Sequence, residues 1–255
     1  MALLDGIVGC WSPSLGATGY TLLDRTRNAS HGTLTNMASS DWMASQLGTV
    51  LNFDATDNVV PIAGSRLYIR SGTPMLASVW FYNRSFVSQY PKLLMLKSDD
   101  TSAWELGYSN NVGSYDGILI GTSSSYARLR TTTSPSALTG SWNHVCVLYN
   151  GGTTSTAANY ACVLNGKLVA FTSASGFAAT TNATSIGYNV VNNRHDGLIG
   201  EIGVWNRAAS VAEAAELFRL GNGWIGRELT GMNRRRRFGR AATGVRRRRI
   251  LTGIN

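Results

Sequence analysis

The chain has 255 residues and a mass of 27.4 kDa, a size that suits one large β domain or two small ones. Its 44% hydrophobic and 15% charged content excludes a wholly disordered protein, and no apolar run approaches the ~18 residues of a membrane-spanning helix. The net charge of +9 is local: Arg234, Arg235, Arg236, Arg237, Arg240, Arg246, Arg247, Arg248 and Arg249 supply nine charges, which leaves 14 basic and 14 acidic residues in 1–231 and excludes a basic folded domain.

The first residues, Met-Ala-Leu-Leu-Asp-Gly, put Asp5 where a signal peptide needs apolar side chains, so Sec export is not expected. Strand signals follow at 6–11, 49–53, 58–62, 75–82, 92–96, 104–109, 117–121, 127–131, 143–150, 159–164, 167–172, 185–187 and 197–205. In each, β-branched and aromatic residues are bounded by Gly, Ser, Thr, Asn or Asp. Asn165-Gly166 reads as a type I′ hairpin turn. Ser210-Val-Ala-Glu213 is a capping box that opens one helix, which Gly221 can stop. Short strands joined by polar turns predict an all-β, two-sheet antiparallel jelly-roll sandwich over 1–231, with one short helix near its end and a basic tail over 232–255. Cys10, Cys146 and Cys162, each among apolar neighbours, read as core thiols; Cys146 and Cys162 could face each other across a hairpin. Trp11 and Trp142 are expected to plug the sandwich, and Trp80 and Trp205 to lie in its core.

Five ordered stretches carry a family resemblance: Gly6-Ile-Val-Gly-Cys-Trp11; Ala29-Ser-His-Gly-Thr-Leu-Thr-Asn36; Leu51-Asn-Phe-Asp-Ala-Thr-Asp-Asn-Val59; Ser141-Trp-Asn-His-Val145 leading to Val163-Leu-Asn-Gly-Lys167; and Gly197-Leu-Ile-Gly-Glu-Ile-Gly-Val-Trp-Asn-Arg207. Over about residues 3–220 the chain resembles the laminin-G-like, concanavalin-A-type jelly-roll family, which includes pentraxins and many lectin modules. The pentraxin disulfide is not implied here, because Ser78 stands where a cysteine would have to face Cys146.

Glycosidases of this fold carry two Glu flanking an Asp on one strand, and no such cluster occurs here; no Gly-x-Ser-x-Gly is present either, so no enzyme is expected. Pentraxin-like calcium sites use loop carboxylates and amides. The candidate loops are Asp54/Asp57/Asn58, Asp99/Asp100 and Asn189/Asn192/Asn193/Asp196, with Asp99 and Asp100 as the metal candidates and no other cofactor expected. The family's Glu-Gln-Asp ligand run is missing before Gly197, where Asn-Val-Val-Asn-Asn stands, and Asp and Asn in such loops also serve as turn residues. A sugar needs an aromatic face with nearby amides and carboxylates. Trp104, Tyr108, Asn111, Tyr115 and Asp116 offer one such cluster, and Tyr188, Asn192, Asn193 and His195 a second; ordinary loop composition is the competing reading.

The nine tail arginines form an arm able to grip carboxylates or phosphates bidentately. A lectin-like domain made without an export signal and bearing a short basic terminus resembles bacteriophage accessory virion proteins such as capsid decorations, head fibres or tail adhesins. The expectation is a non-enzymatic virion protein, oligomeric in the particle, its sandwich turned outward toward cell-surface glycans and its tail bound to capsid or other virion proteins. A soluble sugar-binding module is the alternative. Sequence-independent nucleic-acid binding through the tail is a third reading.

Overall fold

The computed structural model describes residues 3–63, 67–70, 72–88, 90–98, 104–111, 115–121, 127–131, 134–152, 156–175, 183–188 and 193–231. In chain order its strands begin with β1 (Ile7–Trp11), β2 (Thr21–Leu22), β3 (Gly32–Thr33), β4 (Trp42–Ser45), β5 (Gly48–Asp54) and β6 (Val60–Pro61). They continue with β7 (Tyr68–Ile69), β8 (Met75–Asn83), β9 (Lys92–Ser98), β10 (Trp104–Asn111), β11 (Tyr115–Gly121) and β12 (Ala127–Thr131). The last six are β13 (Trp142–Tyr149), β14 (Tyr160–Leu164), β15 (Lys167–Val169), β16 (Phe171–Ser175), β17 (Ser185–Ile186) and β18 (Asp196–Trp205). Helices α1 (Val211–Leu220) and α2 (Trp224–Leu229) follow.

The first sheet runs β15-β14-β13-β8-β18-β5-β4, with β1 also paired to β18; the second runs β16-β12-β11-β10-β9-β17-β6, with β7 paired to β9. Among the described strand pairs only β7–β9 is parallel. Strand β18 is long enough to hold two partners on one edge, β5 along Asp196–Ile199 and β1 along Ile202–Trp205. The core lies between the sheets: Trp11, Phe53, Val79, Phe81, Val145 and Ile202 meet Leu94, Leu96, Trp104, Leu106, Ile118 and Ile120. This is the expected all-β sandwich.

Side-chain alternation leaves the first sheet with a second buried face. There Cys10, Leu76, Cys146, Leu148, Val163 and Trp205 pack against Ala214 and Leu217 of α1 and Ile225 of α2. Helix α1 starts at the capping box, with Ser210 Oγ accepting the Glu213 N–H and a Glu213 carboxylate oxygen accepting the Ser210 N–H, and it ends at Gly221 with φ +81°. The β14–β15 hairpin turns at Asn165 and Gly166, both at positive φ, as Asn-Gly predicts.

Three expectations need correction. Cys146 pairs with Val163, whereas Cys162 pairs with Val147, so this one-residue offset sends the two thiols to opposite faces of the sheet. Trp142 does not plug the sandwich. It shares parity with His144 and Cys146 and lies half-buried on the outer face, while Trp11 is fully buried inside. Helix α2 was not expected, because its cap comes from far away in sequence. Glu201 accepts the N–H groups of Ile225 (3.0 Å) and Gly226 (2.8 Å) and the Ser12 hydroxyl. An irregularity between Ile199 and Ile202 in the pairing with β8 accompanies this arrangement, and Gly200 is required nearby because a Cβ there would lie 2.4 Å from Asn222 Oδ1.

Candidate functional site

The outer face of the first sheet divides at Trp80. On one side the helices cover it. On the other, Asn52, Leu198, Tyr82 and Trp142 stand in one cross-strand register over β5, β18, β8 and β13, and all four are half-buried. Neighbouring strands are ~4.8 Å apart, so this row spans about 14 Å. The Tyr82 and Trp142 ring centroids are 6.0 Å apart at 60°. Phe218 of α1 closes the row on the helix side by stacking on Trp80 at 5.7 Å.

A polar band borders the aromatic rings. Arg84 pairs with Asp196 (2.5 Å) and donates to Asn52 Oδ1 (2.6 Å), while Asn52 Nδ2 donates to Asp41 (3.2 Å) and Ser85 donates to Asp196 (2.5 Å). The Arg84 side chain keeps 44% of its surface exposed, so its guanidinium can also meet a ligand hydroxyl. Beneath the band, buried His195 contacts the Tyr108 hydroxyl through Nδ1 at 2.7 Å, and Tyr108 donates to Asn83 at 2.9 Å. Burial lowers the His195 pKa from 6.5 to about 4 and raises that of Tyr108. This network holds the loop ends rigid without offering a group to solvent.

The residues singled out from sequence divide differently. Trp104 and Tyr108 are core residues, 2% and 0% exposed, so the expected sugar-stacking role at these two positions is corrected: a stacking platform needs an open ring face. Tyr188 is buried against Met95, which corrects the same expectation for the second cluster. Asn193 is half-buried, and its carbonyl accepts the Lys92 N–H at 2.9 Å. Asn111, Tyr115 and Asp116 fall on β10 and β11, but their side chains lie outside what is described. Asn192, the metal candidates Asp99 and Asp100, and Arg234, Arg235, Arg236, Arg237, Arg240, Arg246, Arg247, Arg248 and Arg249 lie outside the described residues. Sequence reasoning missed the Asn52–Leu198–Tyr82–Trp142 row. The signal available was parity, since Trp142 is out of step with Val145 and Val147, which face the core.

Several acids have structural partners. Asp54 accepts the Thr56 N–H and Asn58 accepts the Asp54 N–H, which are local turn bonds, while Asn58 also donates to the distant Asn36 carbonyl. Glu105 pairs with Lys92 at 2.6 Å, both side chains almost fully buried. Among the described residues, no group of three or more His, Cys, Asp or Glu could hold a metal ion. Ser78, His144 and Cys146 do meet, with Ser78 Oγ 2.8 Å and Cys146 Sγ 3.7 Å from His144 Nε2. Burial pushes the imidazole down to about 3 and the thiol up to about 12, which is the reverse of an activated thiolate–imidazolium pair.

The family described as the concanavalin A-like lectin/glucanases superfamily, in its laminin-G form, matches residues 54–215. The chain belongs to this superfamily. No curated protein sequence matches it. Among solved structures it is similar to domain 4 of AbnA, a GH43 extracellular arabinanase from Geobacillus stearothermophilus, in complex with arabinotriose. That match has 16% identity and a TM-score of 0.57 over 82% of this chain and 97% of that one. The binding domain of Paraclostridial Mosquitocidal Protein 1 gives 13% identity and a TM-score of 0.60 over 85% of this chain and 52% of that one. Trypanosoma rangeli sialidase gives 13% identity and 0.55, with 84% of this chain matching 33% of the enzyme. The superfamily chain thus spans about half of the mosquitocidal binding domain and a third of the sialidase, and at these identities the likeness is one of fold.

Proposed function

We propose that the chain is a non-enzymatic, carbohydrate-binding sandwich carried on a virion and anchored there by its Arg-rich tail. The observation that carries the sugar reading is the half-buried aromatic row on the outer face of the first sheet. Tyr82 and Trp142 offer apolar ring surface to sugar C–H groups, and Asn52, Arg84 and Asp41 stand beside them for hydroxyls. The likeness to an arabinanase domain solved with arabinotriose and to a toxin binding domain supports it at the level of fold. The anchoring reading is supported by charge segregation, with nine arginines in the last 24 residues beside a neutral 1–231. A non-catalytic role is supported by the inert Ser78–His144–Cys146 cluster and by Glu201, which caps a helix.

A glycan array probed with the full chain and with Trp142→Ala tests the sugar reading. Saccharide-specific micromolar binding that weakens at least tenfold in the variant is expected, and a silent array overturns it. Deleting 233–255 is expected to release the protein from particles while the sandwich stays folded. Full occupancy by the truncated form overturns the anchoring.

A further inference from the structure

A cleft of about 570 Å³ lies at the end of the sandwich where β18 finishes, lined by the turn before β1, by Arg25, Thr26, Arg27 and Asn28, and by Asn206 and Leu229. Leu198 of the aromatic row and Asn206 are eight residues apart along β18 and its exit, or roughly 26 Å at strand rise. The cleft and the row therefore mark opposite ends.

The loop that presents the two arginines is held by Asp24. Its Oδ1 accepts the N–H groups of Cys10 and Thr26, and its Oδ2 accepts the Thr26 hydroxyl and the Ser30 N–H, all at 2.9 Å. Asn28 ties the same loop to β1 by donating to the Val8 carbonyl at 2.7 Å. With its acceptors engaged on backbone and hydroxyl groups, Asp24 makes no ion pair with either arginine. Arg25 is half-buried and Arg27 is exposed, and both line the cleft. Asp5 also lines the cleft, so its charged groups are two arginines and one carboxylate, and Leu4, Ile7, Val8 and Leu229 add apolar wall.

We infer that this cleft binds an acidic polypeptide segment of a partner protein, with Arg25 and Arg27 receiving its carboxylates. This deepens the anchoring reading above and rests on it. The apolar wall suits peptide side chains. Asp5 at the same site can accept a peptide N–H, a donor that a phosphodiester backbone lacks. Leu229 lines the cleft and Arg234 is five residues further on, so the first tail arginine starts within about 17 Å of it. One partner surface can then engage both.

The test uses the full-length chain with its nine tail arginines replaced by glutamine, so that binding reports the cleft. The probe is a fluorescein-labelled peptide of alternating Glu and Leu, followed by anisotropy. Binding that weakens at least tenfold in the further variant Arg25→Gln/Arg27→Gln, with an unchanged melting temperature, is expected. The exposed Arg27→Glu change alone should weaken it at least threefold, which keeps the test valid if the double variant folds poorly. Absent binding, equal binding in the variants, or displacement of the peptide by duplex DNA at lower concentration than by unlabelled peptide overturns the inference. The anchoring reading then stands or falls on particle release alone.

Discussion

The two ends of one sheet face are built from the same strands and finished in opposite ways. Toward the C-terminal end of β18, Cys10, Cys146 and Trp205 are sealed beneath α1 and α2, and Trp205 is fully buried with its Nε1 donating to the Leu3 carbonyl at 2.8 Å. Toward its N-terminal end, no helix among the described residues covers Leu198, Tyr82 and Trp142, and a polar band of Asp41, Asn52, Arg84 and Asp196 stands beside them. The same alternation that makes a second core at one end thus leaves aromatic surface at the other. Where the helix stops decides between a second core and open aromatic surface.

Two tryptophans on this face provide the largest contrast. Trp205→Ala empties a fully packed site and should cost about 3–5 kcal/mol in urea unfolding. Trp142→Ala should cost no more than about 1 kcal/mol while removing glycan binding. Equal losses of stability would mean that the open row is core after all. Next comes Glu201→Ala, which strips the N–H groups of Ile225 and Gly226 of their acceptor. A loss of about 3 kcal/mol is expected, together with protease sensitivity near α2, and a loss below ~1 kcal/mol would show that the helix does not depend on this cap.

Acid unfolding is the smallest effect per step. His144 lies at the boundary of the two regions and His195 under the open one, with folded pKa values of about 3 and about 4. Below pH 6.5 the unfolded chain binds protons that the folded chain refuses until those values. Stability from each therefore falls with pH through that window, by up to about 1.4 kcal/mol per pH unit. Glu201 works the other way, since burial raises its pKa and the folded chain keeps a proton the unfolded one releases. Urea midpoints measured from pH 7 to pH 4 should decline, and His195→Gln should make that decline shallower throughout the range below pH 6.5.

Much of this architecture was legible locally. The strands, the Asn165-Gly166 turn and the Ser210–Glu213 capping box each depend on residues within a few positions of one another, so pattern and spacing reveal them. The site was less legible. Trp104 and Tyr108 look like sugar-binding aromatics in their Asn-rich stretch, and only the packing of two sheets shows that their rings are enclosed. The row that stays open joins residues from β5, β8, β13 and β18, whose register is a long-range property.

By itself, the sequence determined a neutral β-sandwich with its positive charge confined to a terminal arm, because composition, alternation and turn chemistry are properties of short stretches. Tertiary structure decided which aromatics meet solvent, how Glu201 caps a helix 24 residues away, and that Arg25 lines a cleft while Asp24, its neighbour, is engaged elsewhere. Each of these depends on what a distant strand or helix places against the residue, and burial and hydrogen-bond partners follow from that placement rather than from residue type.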